Sequence, residues 1–337
     1  MCDLYVIEQG TCLRKDQARF ILHPPHDDDL EIPIREVERI LVFGNIQLST
    51  AVLGTCLSRQ IPVVFLSQTG QYKGHLWSAE ITDLTAEAQQ FARQHDEAFQ
   101  GATARAIVYG KLWNSKILLL RQNRKRQVAE VNTAIERLDA ALETLSYVDR
   151  PQTLEQLRGY EGNGASQYFQ TFGHLITQPE FNWQGRNFHP PTDPVNSLLS
   201  FGYTLLFNNV FSLLLVEGLN PYLGNLHGAE RQKAYLAFDL MEEFRSPIVD
   251  TLMLKLINKK IIRPTDFTWP QENGGVYLTD PARRVFLRHF EQRITESITH
   301  PDVKEPVTYR RVIQLQVQRY KRAVLGNQPY EAFRRLK

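Results

Sequence analysis

The chain has 337 residues, 42% of them hydrophobic and 23% charged, with a formal net charge of +2 at pH 7. That balance is a globular protein's, with length for one large or two moderate domains and no whole-chain basic excess of the kind that marks nucleic-acid binding. Cys2, Cys12 and Cys56 fit neither a disulfide framework nor a paired-cysteine metal site, no apolar run of about 18 residues predicts a membrane span, and MCDLYVIEQG is no secretory signal, so a cytoplasmic setting is expected.

Residues 1–78 read as β. LYVIE, ARFIL, EIPI, RILVF, IPVVFL and YKGHLW are short runs rich in Val, Ile, Phe and Tyr. Turn residues separate them at Gln9–Gly10, Pro24–Pro25, Asp27 to Asp29, Gly44–Asn45 and Thr69–Gly70. The three aspartates lack the further oxygen ligands of a calcium loop and read as a solvated turn. One helix interrupts the strands, from Thr50 to Arg59, with Ser49 as N-cap and Ile61–Pro62 ending it.

From Thr85 the period changes to helical. One long helix is expected to about Arg124, and a second from Val128 to Leu145. Pro151 breaks the chain. Thr153 and Gln156 form a capping-box pair that opens a helix containing YEGNGA, whose two glycines are costly there and mark either a close backbone approach or a helix end. An aromatic, Pro-rich loop follows over residues 178–194. Asp193 and Pro194 form an N-cap and N1 pair for the helix Val195 to Glu217, which is apolar almost all round and so belongs at the centre of its domain. Further helices are expected around residues 234–256, from Asp280 to about Thr295, and from Pro306 to Leu325. The architecture expected is α+β: an N-terminal β domain over residues 1–80 and a larger all-α domain over residues 85–337, joined near residues 78–86.

Two features carry chemistry. The stretch 224–250, GNLHGAERQKAYLAFDLMEEFRSPIVD, sets His227 in a Gly-flanked turn and places Asp239 and Glu242 three apart on an apolar helix. Carboxylates on a packed face need a partner, and a cation is one candidate. Glu161 of YEGNGA, taken with His227 and Glu242, supplies one imidazole and two carboxylates, a donor set for Mg²⁺ or Mn²⁺. The plainer reading is a loop histidine and acids paired with Arg186 or Arg245. Glu243 and Asp250 read as surface or ion-pairing residues, Asp250 toward Arg245 or a lysine. The second feature is basic. Arg310, Arg311, Arg319, Lys321, Arg322, Arg334, Arg335 and Lys337 crowd the end of the chain, and Arg121, Arg124, Lys125 and Arg126 form a mid-chain run. Each is either a solvated helix face or a phosphate-binding surface.

Beyond this point the chain resembles a known family. RILVFGNIQLST, IPVVFLSQTGQYKG, YEGNGASQYF, RNFHPPTDPVNSLLSFGYTLL, LNPYLGNLHG and AFDLMEEFRSPIVD are similar, in order and spacing, to blocks of the CRISPR-associated integrase of spacer acquisition. The resemblance implies an N-terminal β domain, a C-terminal helical domain and a metal-dependent DNA endonuclease and integrase. In it Glu161, His227 and Glu242 are the metal ligands, where many relatives have Asp at the last position, and Asp239 assists them catalytically. The loop RNFHPP has fewer basic residues than that of many relatives, though Arg186 and His189 remain. The reaction implied is attack by the 3′-hydroxyl of a short duplex on a phosphodiester at the edge of a CRISPR repeat, with Mg²⁺ or Mn²⁺ as the ion. The partners implied are double-stranded DNA, a second copy of the chain pairing through the β domain, and a separate small ferredoxin-like protein; no membrane is involved. Arg186, Arg245, Arg310, Arg311, Arg319, Lys321 and Arg322 are candidate DNA contacts, and Tyr160, Tyr168 and Phe188 candidate stacking partners for frayed bases, with core packing the competing role for Tyr168. A stand-alone nuclease of branched DNA and a non-catalytic DNA-bridging protein are the alternatives.

Overall fold

The structure is a computed structural model that describes residues 2–68, 70, 72–76, 78, 83–147, 152–187, 190–227, 233–269, 274–326 and 328–336. Thr69, Pro151, Phe188, His189 and Lys337 lie outside the described residues. The chain divides into two compact units, residues 1–82 and 83–337.

The first unit holds two four-stranded sheets. One has the order β1 (Cys2–Val6), β5 (Val37–Phe43), β7 (Val63–Leu66), β8 (Tyr72–Leu76). Its first two pairings are parallel and its last antiparallel. The other runs β4 (Leu30–Pro33), β3 (Arg19–His23), β2 (Cys12–Asp16), β6 (Gln47–Leu48). The strands β2 and β6 are absent from the sequence reading. CLRKD is mostly polar and its burial is iBeee, so only Leu13 faces the core and no alternating apolar run announces it. By contrast β5 is buried at every position but Glu38 and reads as a continuous apolar run, as parallel strands do. Helix α1 (Thr50–Ser58) is capped by Ser49 Oγ on Val52 N at 3.4 Å, and it adds Val52 and Cys56 to the core built on Leu13, Phe20, Ile40 and Val63. The arginine of one buried ion pair, Asp3 with Arg39, sits directly across from its acid in the β1–β5 register.

The second unit is helical: α2 (Leu84–Arg93), α3 (Glu97–Asn123), α4 (Ala129–Ser146), α5 (Leu154–Phe172), α6 (Pro194–Val216), α7 (Tyr235–Met241), α8 (Thr251–Asn258), α9 (Asp280–Ile294) and α10 (Tyr309–Val324). Two short antiparallel ladders interrupt it, β9 (Phe267–Thr268) with β10 (Tyr277–Leu278), and β11 (Ser297–Ile298) with β12 (Val307–Thr308). The all-α expectation is corrected to that extent. The single helix expected from residue 85 to 124 is two, because Asp96 accepts from Phe99 N at 2.9 Å and starts a new one. The Thr153–Gln156 capping box and the Asp193–Pro194 start are present as read. The helix α9 starts at Asp280, as expected, with Thr279 in the N-cap position.

The helix α5 runs through YEGNGA without ending. A Cβ on Gly164 would lie 2.3 Å from Leu112 Cδ2 of α3, so that glycine permits the α3–α5 approach, whereas Gly162 has open space. The helix α6 passes a length-and-composition test for a membrane span, one that the buried core helix of a globular domain passes too. Its most apolar window is 72% buried inside the protein, against α7, α8 and α10. It carries the centre of the unit.

After α7 the chain departs from an α-helix. A 3-10 turn, Glu242–Phe244, leads into a π-turn, Arg245–Asp250, before α8 resumes. The cause is Pro247, which lacks an amide and cannot bond the carbonyl four residues back. That carbonyl, Glu243 O, accepts instead from Asn114 Nδ2 of α3 at 2.7 Å.

Candidate active site

Three segments of the second unit meet at Glu242: the middle of α3, the first half of α5, and the 3-10 turn. Lys111 of α3 pairs with Glu161 of α5, and its Nζ lies 2.7 Å from Glu242 Oε2. Arg245, one turn on, pairs with the other oxygen, Oε1, at 2.8 Å. Glu242 is only 4% exposed. Burial works against its charge, but the adjoining Arg245 and Lys111 outweigh it and hold the carboxyl below its ordinary range. Among the described residues Glu242 Oε2 is buried and has the Lys111 ammonium as its ion-pair partner, with no further hydrogen-bond donor.

His227 comes to the same place by a different route. Gly224 lets its turn press onto α7, since a Cβ there would lie 2.6 Å from Tyr235 Cβ and 3.1 Å from Asp239 Oδ2. The fully buried Asp239 then collects the turn. Its carboxylate accepts from the backbone N–H of Asn225 at 2.7 Å, Leu226 at 2.9 Å and His227 at 3.3 Å. The imidazole Nδ1 lies 2.6 Å from Asp239 Oδ1. Its other nitrogen, Nε2, carries no hydrogen bond among the described residues. The hydrogen bond to Asp239 raises the His227 pKa above its ordinary value, against burial and with help from Glu242 and Glu161. Arg158 of α5 ties the turn down from the other side, Nε to Leu226 O at 2.7 Å. Asp239 and Glu242 therefore diverge: one orients the histidine, the other faces Lys111 and Glu161.

Among the described residues no group of three or more His, Cys, Asp or Glu converges into a ready metal cage. The donor types nevertheless suit a hard divalent ion. Two carboxylates share one cation, and an imidazole is held through Nδ1 by a carboxylate, the pattern that orients a ligating histidine. Part of the plainer reading also holds, for Glu242 does pair with Arg245.

Two acids behave otherwise than expected. Among the described residues Asp250 makes no ion pair within 4.0 Å with Arg245 or a lysine; it accepts from Tyr168 Oη at 2.7 Å and Tyr203 Oη at 2.6 Å, and burial pushes its carboxyl upward. Tyr168 is core, 2% exposed, with Asp250 as its polar partner. Glu243 is no surface residue. It is fully buried and receives Tyr330 Oη, Phe333 N, and Gln316 Nε2 at 3.1 Å. Desolvation pushes its pKa to about 8.

The candidate DNA contacts divide. Arg186 and Arg245 lie over the Tyr203 ring, at 5.5 and 4.8 Å, and Arg186 also donates to Asn196 Oδ1 at 2.8 Å. Arg310 forks onto Glu291 at 2.8 and 2.9 Å. Arg319 is buried and pairs with Asp302, which Arg322 shares at 3.0 Å; Lys321 pairs with Asp83 at 2.8 Å. Arg311 is exposed, as are Arg121, Arg124, Lys125 and Arg126. The C-terminal residues are not a free basic arm. Trp113 donates to Arg335 O at 3.0 Å, and Asn114 holds Phe333 O at 2.9 Å and Arg335 N at 2.8 Å. The expectation for Phe188 and His189 lies outside the described residues. Lys111, Arg158, Asn114 and Tyr203 escaped sequence reasoning. Nothing marks one lysine in a 27-residue helix as special until its neighbours are known.

Sequence comparison with known proteins gives one family, and comparison with solved structures gives its fold. Residues 4–292 match the family model "CRISPR associated protein Cas1". A "CRISPR-associated endonuclease Cas1 1" of Thermus thermophilus is 35% identical over 98% of this chain and 98% of its own length. A "CRISPR-associated exonuclease Cas4/endonuclease Cas1 fusion" of Geobacter sulfurreducens is 34% identical over 97% of this chain, which spans 59% of that protein. Among solved structures, a chain of a Cas6-RT-Cas1–Cas2 complex has a TM-score of 0.84 at 23% identity, covering 100% of this chain and 36% of that one. A casposase bound to integration product has a TM-score of 0.83 at 20% identity, covering 98% and 93%. At those identities the structural likeness shows the fold.

Proposed function

Because the chain belongs to the CRISPR-associated Cas1 family, we propose that it is a metal-dependent DNA endonuclease and integrase that inserts short duplexes into a CRISPR array. The observation that carries this reading is the approach of Glu161 and Glu242 to a single cation beside a histidine oriented by Asp239. The name endonuclease borne by the Thermus relative and the integration product held by the casposase support it.

In this reading Glu161, Glu242 and Nε2 of His227 would hold Mg²⁺ or Mn²⁺. When bound, the ion supplies a Lewis acid for the phosphodiester oxygen and lowers the pKa of an attacking hydroxyl. The chain's own groups do the rest. Asp239 holds the imidazole through Nδ1, so that Nε2 is the atom presented. Arg245 neutralises Glu242 from behind, which lowers the cost of keeping that carboxylate charged in a buried place. Arg158 and Gly224 fix the histidine turn. The exposed run Arg121, Arg124, Lys125 and Arg126, with Arg311, offers phosphate contacts that position DNA without reading its sequence. Assembly as a homodimer, partnership with a small separate protein of the kind named Cas2 in the complex above, and work in the cytoplasm belong to the same proposal.

The test is a strand-transfer assay with a short duplex, a repeat-bearing plasmid and Mn²⁺ or Mg²⁺. The wild-type chain, with its partner protein present, is expected to join the duplex to the plasmid only when the ion is present. Glu161→Ala should cut the rate by at least about 100-fold. Full activity in that variant would show the site to be misplaced, and cleavage of branched DNA with no joined product would favour a stand-alone nuclease.

A further inference from the structure

Lys111 is unusual in its surroundings. It lies mid-way along α3, with Ile107, Val108 and Leu112 buried close by in sequence, and its side chain is 11% exposed. A buried ammonium needs partners. It finds two, and both are carboxylates assigned above as ion ligands. One comes from α5 and the other from the turn after α7, 81 positions later in the chain, so the lysine is the physical link between the two halves of the site. Arg245 takes the remaining oxygen of Glu242. Glu161 Oε1 and Glu242 Oε2 both face the one ammonium of Lys111. The next lysine on the helix, Lys116, pairs elsewhere, with Asp139.

We infer that Lys111 is a tethered counter-cation, which holds Glu161 and Glu242 together before the metal arrives and must be displaced from them for the metal to bind. The inference rests on the metal-dependent reading above and adds a residue to it. An ammonium and a divalent ion cannot both occupy the gap between the same two oxygens. Like charges that close repel, and the low local dielectric strengthens the repulsion. The resident lysine solves the folding problem of two facing acids in an ion-poor state. It also sets a threshold: only a cation with more charge than one ammonium and a preference for oxygen wins the exchange. Lys111 is a positioning residue in this role and makes no bond in the reaction.

The experiment is Mn²⁺ binding by calorimetry to the full chain without DNA, with the melting temperature measured in EDTA alongside. Wild type, Lys111→Met, Lys111→Gln, Lys111→Arg and Glu161→Gln are compared. Lys111→Met and Lys111→Gln are expected to melt lower in EDTA yet bind Mn²⁺ about tenfold tighter, while Lys111→Arg stays near wild type in affinity. A merely structural lysine would lower the melting temperature without tightening the ion. Unchanged or weaker Mn²⁺ binding by the uncharged variants, with Glu161→Gln still abolishing it, overturns the counter-cation and leaves the metal site standing. Binding that is indifferent to Glu161→Gln overturns the metal site, and the counter-cation with it. Should the uncharged variants fail to fold, wild type answers alone. Amine acylation at Lys111, read by mass spectrometry, should rise when Mn²⁺ is added. Labelling that stays level or falls sinks the inference.

Discussion

A carboxylate's role here depends on what its neighbours donate. Asp239, Glu242, Glu243 and Asp250 lie within twelve positions of one another, and all four are buried. They have four different sets of partners: backbone amides and an imidazole for Asp239, two cations for Glu242, a tyrosine, an amide side chain and a backbone N–H for Glu243, and two tyrosines for Asp250. Asp239→Asn separates geometry from charge. It turns one acceptor oxygen into an N–H₂ that faces backbone donors, so the folded state should lose about 2 kcal/mol. The imidazole also loses the carboxylate that holds it, and ion-dependent strand transfer should fall about 10- to 100-fold. Urea unfolding and the strand-transfer rate, measured on the same preparation, check both. A variant that loses stability but keeps the full rate would show that the reaction does not need a fixed His227.

The elements were legible wherever local chemistry suffices, and illegible where a distant partner decides. Ser49, Thr153 with Gln156, and Asp193 with Pro194 act within one helical turn, and each begins a helix where it was expected. The polar strand β2 has no such signal, because its place comes from pairing with β3 and β6. The split between α7 and α8 is half legible. Pro247 forecasts a break, but the π-turn that follows depends on Asn114, more than a hundred positions away, taking the carbonyl that the proline cannot bond. The glycines of α5 show the same contrast within a few residues. Gly164→Ala should destabilise the chain by about 1–3 kcal/mol, since its methyl would enter Leu112 in a packed core. Gly162→Ala meets open space and should stabilise by about 0.5–1 kcal/mol through helix propensity. Thermal melting of the two variants decides it; equal and opposite outcomes to these would mean that α3 and α5 do not approach at Gly164.

Across the second unit the C-terminal residues act as a latch on α3. Phe333 stacks on Phe244 at 5.4 Å, Ala332 fits where Gly110 has no side chain, and Tyr330 closes over Glu243. The buried carboxyl of Glu243 titrates near 8, against an ordinary 4.5. Between those values the folded state holds a proton that the unfolded state has released, so this group's stabilisation is complete below the lower value and is lost as the pH rises to the higher one. Glu243→Gln stays neutral throughout, and its amide oxygen can still accept from Tyr330 Oη. Its melting temperature should therefore gain on that of wild type as the pH is raised from 5 to 9. A gap between the two proteins that stays constant over that range would show that Glu243 is ionised in the folded chain at all these pH values.

Periodicity, caps and turn residues were enough to establish a β unit followed by a helical one, a buried central helix at α6, and the family to which Glu161, His227 and Glu242 point, because each of those signals is carried by residues close together in the chain or by the order of short blocks. Which carboxylate faces which cation was decided by packing alone. Lys111 meets Glu161 fifty positions away because α3 and α5 approach at Gly164, and it meets Glu242 because Pro247 and Asn114 end the helix there. Buried charges accept whatever partner the packed backbone brings within reach, and that distance is not written in the spacing of residues along a sequence.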